Sequence, residues 1–198
     1  MSDKFPSGIL IGIIVAFVLG FAAMLIIGLA DKSRSTLPIL GEVPRFEFVK
    51  QDGSPFGLEE LNGKVSVVDF IFTTCPGICP VMSGNMSELY QQFEKAPRVQ
   101  FVSITVDPVN DSLSVLRDYA GNLGIDDDRW VFLWNPVENV ANLSEKGFAL
   151  SAADLPLGHS SRFVLVDRNA RIRGYYDGTD DESMKKLAND LGLLARAK

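Results

Sequence analysis

Two cysteines and one histidine are the residues of this 198-residue chain on which thiol or soft-metal chemistry can be built. Cys75 and Cys79 lie in Thr74-Cys75-Pro76-Gly77-Ile78-Cys79-Pro80, and His159 lies in Leu157-Gly158-His159-Ser160-Ser161. Each cysteine precedes a proline, which disfavours α geometry at the cysteine, and Pro80 inside a helix would lack a donor and clash with the carbonyl four residues back. The pattern predicts a helix beginning at Pro80 with Cys79 as its N-cap and Cys75 on the preceding loop. The positive helix end favours thiolate over thiol near Cys79. Gly77 permits the tight bend that brings the sulfurs together. Such a pair can close a disulfide or hold a metal.

A purely structural disulfide gains little here: closing so short a loop is worth about 2 kcal/mol, against roughly 4.7 for a loop near 100 residues. With a single histidine, a four-ligand zinc site cannot be assembled from His and Cys alone. Two thiolates and one imidazole suit copper, because Cu(I) favours thiolates and low coordination while imidazole keeps Cu(II) accessible. His159 precedes a strand expected from Phe163, and a neighbouring central strand would bring its loop to the sheet edge that carries the cysteines. Met82 and Met86 are soft donors too, but they share a helical stripe with Leu89 and Phe93 and read as core. The acidic run Asp126-Asp127-Asp128 lacks the glycine and terminal glutamate of a calcium loop and reads as solvated.

The elements that position these residues are legible as alternating signals. Phe46 to Val49, Val65 to Phe72, Val99 to Val106 and Trp130 to Trp134 read as strands, the second and third continuous enough to be covered on both faces. Helices are expected from about Ser112 to Asn122, with Asp111 as N-cap, and from Val137 to Phe148. Phe163 to Val166 and Ile172 to Tyr176 flank Asp167-Arg168-Asn169-Ala170 as a hairpin. A last helix has an acidic start at Asp180, Asp181 and Glu182 and a stripe of Met184, Leu187, Ala188, Leu191 and Leu194. The sum is an α/β fold, a mixed β-sheet flanked by helices, with the cysteines at the carboxyl end of a central strand.

Ahead of this domain, residues 8–30 contain no Asp, Glu, Lys or Arg, and as a helix they would span roughly 34 Å, enough for a bilayer. The run exceeds the core of a signal peptide, so an uncleaved N-terminal transmembrane helix is expected. The division is then residues 1–30 as anchor, 31–44 as tether and 45–198 as the globular domain. The net charge of −6, with no basic run, argues against nucleic-acid binding, which draws on Lys and Arg.

The chain resembles the Sco/SenC family of thioredoxin-fold copper proteins that help assemble cytochrome c oxidase. The matching pieces are Asp69 to Pro80 (DFIFTTCPGICP), Ser103 to Pro108 (SITVDP), His159 to Asp167 (HSSRFVLVD) and Tyr176-Asp177-Gly178. The resemblance implies a thioredoxin-like fold and one copper ion, Cu(I) or Cu(II), held by Cys75, Cys79 and His159. It also implies delivery to the copper centre of the oxidase or to another copper protein, from a domain outside the cytoplasm on a single-pass inner-membrane anchor. Gly77 stands where the family often has an acidic residue, and Thr74 where an aromatic or histidine is common; neither change removes a ligand. The competing class is a membrane-tethered thiol-disulfide oxidoreductase with Cys75 and Cys79 as its redox pair. Thioredoxins, however, have a two-residue spacer between their cysteines, and a cis-proline near the place taken here by His159-Ser160-Ser161.

Overall fold

The structure, a computed structural model, describes residues 12–22, 24 and 37–197. The chain divides into one unit of residues 1–36 with 197–198 and another of residues 37–196. In the first unit, residues 12–22 and 24 are helical. No helix among the described residues is long and apolar enough to cross a membrane; the remainder of the expected span 8–30 lies outside them.

In the second unit the strands are β1 (Gly41–Glu42), β2 (Glu47–Lys50), β3 (Pro55–Gly57), β4 (Val65–Ile71), β5 (Val99–Thr105), β6 (Trp130–Trp134), β7 (Arg162–Val166) and β8 (Arg171–Asp177). The helices are α1 (Leu58–Leu61), α2 (Cys79–Gln92), α3 (Leu113–Asn122), α4 (Val137–Asn142) and α5 (Asp181–Arg196), with a π turn over Leu143–Gly147 continuing α4. One sheet holds the strands in the order β1-β8-β7-β4-β5-β6-β2-β3. β4, β5 and β6 run parallel, and the other neighbours are antiparallel.

Every residue of β4 and β5 is buried, because helices cover both faces of these central strands. On one face Tyr90 of α2 packs against Phe101 and Trp130, and Tyr119 of α3 against Phe132. On the other, Phe148 after the π turn packs edge-on against Phe70 of β4. The last helix, α5, buries Leu187, Leu191 and Leu194, each worth roughly 1.5–3 kcal/mol of apolar burial.

Three expectations shift. The folded unit begins at Leu37 rather than residue 45, since the Leu40 amide donates to the Ile172 carbonyl at 2.8 Å and that of Val43 to Ala170 at 2.9 Å. Residues 37–44, assigned from sequence to the tether, are thus strapped to β8. Ser112, not Asp111, caps α3, its hydroxyl accepting from the Val115 amide at 3.4 Å. The helix expected over 137–148 is α-helical only to Asn142 and closes as the π turn.

Parallel pairing puts the C-terminal ends of β4 and β5 at one rim. β7 runs antiparallel to β4, with Val68 opposite Val164, so the segment just before β7 returns to that same rim. The loops bearing Cys75 and His159 therefore converge.

Candidate metal centre

Helix α2 starts one residue earlier than the prolines suggest: Cys79 is its first residue, Pro80 its second, and Ile78 the cap. Pro80 costs nothing there, since a first-turn amide has no intrahelical partner to lose. Cys79 is buried and Cys75 half-exposed, and both are free thiols. The sulfurs of Cys75 and Cys79 and a ring nitrogen of His159 all lie within 4.8 Å of one another. Residues 80 apart in sequence are joined where Cys79 Sγ sits 3.3 Å from His159 Nε2. The three residues singled out from sequence are brought together.

Each donor has its own support. His159 Nδ1 lies 3.2 Å from the Ser160 carbonyl; a carbonyl can only accept, so Nδ1 carries the proton and Nε2 presents its lone pair to the sulfurs. The imidazole stands edge-on to Phe72, ring centres 5.6 Å apart. Burial holds its pKa below the ordinary histidine value, partly offset by the Ser160 and Phe70 backbone. A neutral ring is the form that ligates.

The thiols are inequivalent. Burial pushes Cys79 up to about 12, and its hydrogen bond with Cys75 pushes the same way, against the Phe72 backbone amide. Burial would raise Cys75 too, but the Cys79 thiol and the amides of Cys79, Gly77 and Ile78 outweigh it and hold Cys75 below its ordinary value. These amides are the open end of α2, where backbone N–H groups favour negative charge. The sequence reading placed the helix-end effect at Cys79; the structure delivers it to Cys75, whose sulfur faces the amides from the loop.

Two buried carboxylates near this rim escaped the sequence reading as site residues. Asp69 in β4 is 1% exposed, and neither oxygen has a partner at hydrogen-bonding geometry. Burial lifts its pKa to about 7, against the lowering pull of the Ser103 hydroxyl on the adjoining strand. A carboxylate inside the apolar run VSVVDFIF was the available signal. Asp111 is fully buried and binds the Thr73 amide and hydroxyl and the Thr105 hydroxyl. Met82 and Met86 are wholly buried, as core residues should be.

Two soft, deprotonatable sulfurs and one neutral imidazole fit a single soft or borderline metal ion and offer little to a hard one. Comparison with known proteins agrees. A family model described as SCO1/SenC matches residues 40–194. A SCO1 protein homolog of Bacillus subtilis (strain 168) is 33% identical over 168 residues, covering 81% of this chain and 86% of that protein. The structure of BsSco, a member of the Sco family of cytochrome c oxidase assembly proteins in which a disulfide switch was identified, superposes with a TM-score of 0.73 at 30% identity. It covers 83% of this chain and 100% of that one. Yeast Sco1 with copper bound gives a TM-score of 0.60 at 25% identity, covering 78% of this chain and 94% of that one.

Proposed function

The chain belongs to the SCO1/SenC family, with that family's mixed α/β, thioredoxin-like fold, and from that premise we propose that it is a membrane-tethered copper chaperone. One copper ion is its cargo, bound by Cys75, Cys79 and His159 and passed to a copper site of cytochrome c oxidase during assembly. The observation that carries this reading is the convergence of three soft donors within 4.8 Å. Residues 8–30 serve as the bilayer anchor and hold the domain outside the cytoplasm.

The unequal thiols suggest an order of events. Cys75, whose proton is the more easily lost, engages copper first; Cys79 then releases its proton as the metal compensates for the buried charge. Release starts at the same accessible ligand, an incoming partner ligand displacing half-exposed Cys75 before the buried pair Cys79 and His159. Ile78, Val81, Val109 and Leu157 are exposed apolar side chains on segments of this same rim, and they supply contact area for the recipient. A disulfide between Cys75 and Cys79 blocks loading, since a sulfur in a disulfide is no thiolate ligand.

Titration of the reduced chain with Cu(I) and with Cu(II), followed by absorption and native mass, tests the assignment. One equivalent should bind, and His159→Ala and Cys75→Ser should each weaken it; equal binding by both variants overturns the three-ligand site.

One observation favours a second reading. A depressed Cys75 beside a raised Cys79 is also how an attacking thiol and its buried resolving partner are arranged in disulfide exchange. An oxidoreductase acting on a partner's copper-ligand cysteines would keep its exchange rate in His159→Ala, whereas the chaperone loses copper transfer.

A further inference from the structure

The three donors are not held alike. Cys79 is fixed in the first turn of α2, and His159 by the Ser160 carbonyl and the Phe72 ring. Cys75 hangs from the segment after β4, where the ladder to β5 has ended: the Val106 amide still reaches the Ile71 carbonyl at 2.8 Å. The next inward group, the Thr73 amide, finds Asp111 instead, at 3.1 Å from one carboxylate oxygen and 3.3 Å from the other. The Thr73 hydroxyl donates to Oδ1 at 2.5 Å, and the Thr105 hydroxyl to Oδ2 at 2.5 Å. Thr105 is the strand partner of Ile71, so one carboxylate ties the exit of β4 to the end of β5. Asp111 is itself set by its amide on the Asp107 carbonyl at 2.9 Å, and the Asp107 amide returns to the Thr105 hydroxyl at 3.0 Å. From Thr73 the Cys75 amide is one tight turn away, bonded to the Phe72 carbonyl at 3.3 Å.

We propose that Asp111 is the positioning residue of the metal centre: by clamping Thr73 against Thr105 it fixes where Cys75 leaves the sheet, and so the spacing of its sulfur from Cys79 and His159. Capping of α3 does not account for its burial, because Ser112 does that work. Taking a carboxylate wholly out of water is costly, and the three donors that compensate Asp111 all lie on Thr73 and Thr105. Outer groups that orient metal ligands typically change affinity 10–100-fold when removed. The proposal rests on the copper-binding reading.

The experiment uses the full chain in detergent micelles, reduced and metal-free at the start, as wild type, Asp111→Asn, Asp111→Ala and Thr73→Val, with Asp167→Asn as a remote control. Cu(I) affinity is read by competition with a chromophoric chelator, and the backbone by amide NMR. Asp111→Ala should weaken Cu(I) about 10–100-fold, with Asp111→Asn and Thr73→Val between it and wild type. In the metal-free chain the amide signals of residues 73–79 should move while those of 162–166 stay. Asp167→Asn should lower the melting temperature yet keep copper affinity. Unchanged affinity and unmoved 73–79 signals in Thr73→Val and Asp111→Asn overturn the proposal, as does equal loss of affinity in Asp167→Asn. Should wild type take up no copper, the chaperone reading falls, and the amide signals still decide whether Asp111 sets the Cys75 segment.

Discussion

Asp69 in β4 and Asp167 at the end of β7 are buried carboxylates on neighbouring strands, close to opposite rims of the sheet, and the fold treats them in opposite ways. Asp167 accepts from Arg173 Nη1 at 2.7 Å, Arg171 Nε at 3.1 Å and the amides of Asn169 and Arg171. Burial would raise its pKa, but the guanidiniums of Arg173 and Arg171 outweigh that and hold it below the usual carboxylate value. Arg173 also grips the N-terminal strap through the carbonyls of Leu37 and Pro38. Asp69 has no such company, and its carboxyl is lifted to about 7. The far rim is saturated with partners and serves to hold the chain. The rim that gathers Cys75, Cys79 and His159 sets a buried thiol against a neutral imidazole and leaves the nearby Asp69 carboxyl without a hydrogen-bond partner.

If that contrast is sound, breaking the saturated end should cost the most stability and the least function. Asp167→Ala leaves the buried Arg173 without its carboxylate, and removing one partner of a buried pair typically costs about 3–5 kcal/mol. Urea unfolding should show a loss of that size with copper affinity within a factor of two. A large fall in affinity would mean that the two rims are coupled.

The unpaired end should respond with the opposite sign. A carboxyl whose pKa is raised on folding contributes stability that is complete below its unfolded value, 3.8, and is lost as pH rises through its folded value, about 7. The loss reaches up to about 4 kcal/mol above pH 7. Asp69→Asn removes that penalty, so the variant should be more stable than wild type at pH 8, and the gain should vanish by pH 4. His159, whose folded pKa is lowered, has the reverse slope: its contribution is present above 6.5 and falls away as pH drops through the folded value. Comparing variant and wild type at each pH cancels the histidine. An Asp69→Asn variant less stable at pH 8 would show that the carboxyl has a partner after all.

How much of this was readable follows from what each feature depends on. β4 and β5 announced themselves because burial on both faces demands an unbroken apolar run. The cluster of Cys75, Cys79 and His159 was visible because its donor types are scarce, so the only histidine and both cysteines of the sequence had to be weighed together. β1 and β3 left no trace: strands of two and three residues exist because an edge is there to pair with, and no local pattern encodes that. Asp111 was misassigned for a related reason. Asp111 and Ser112 are adjacent, and both are cap-type residues; which one caps α3 is settled by Thr73, 38 residues upstream.

That adjacency yields the smallest and most discriminating test. Ser112 and Asp111 share a turn, yet the first serves the helix and the second the strand exit. Ser112→Ala removes an exposed cap bond to the Val115 amide, worth about 1 kcal/mol. Thermal melting should register that loss, while Cu(I) affinity stays at the wild-type value because no contact of Thr73 or Cys75 changes. If Ser112→Ala weakened copper as strongly as Asp111→Ala, the clamp would be indistinguishable from general loosening of the loop before α3. If only the Asp111 variant weakens it, position in the turn is excluded as the cause, and the carboxylate bonds to Thr73 and Thr105 remain.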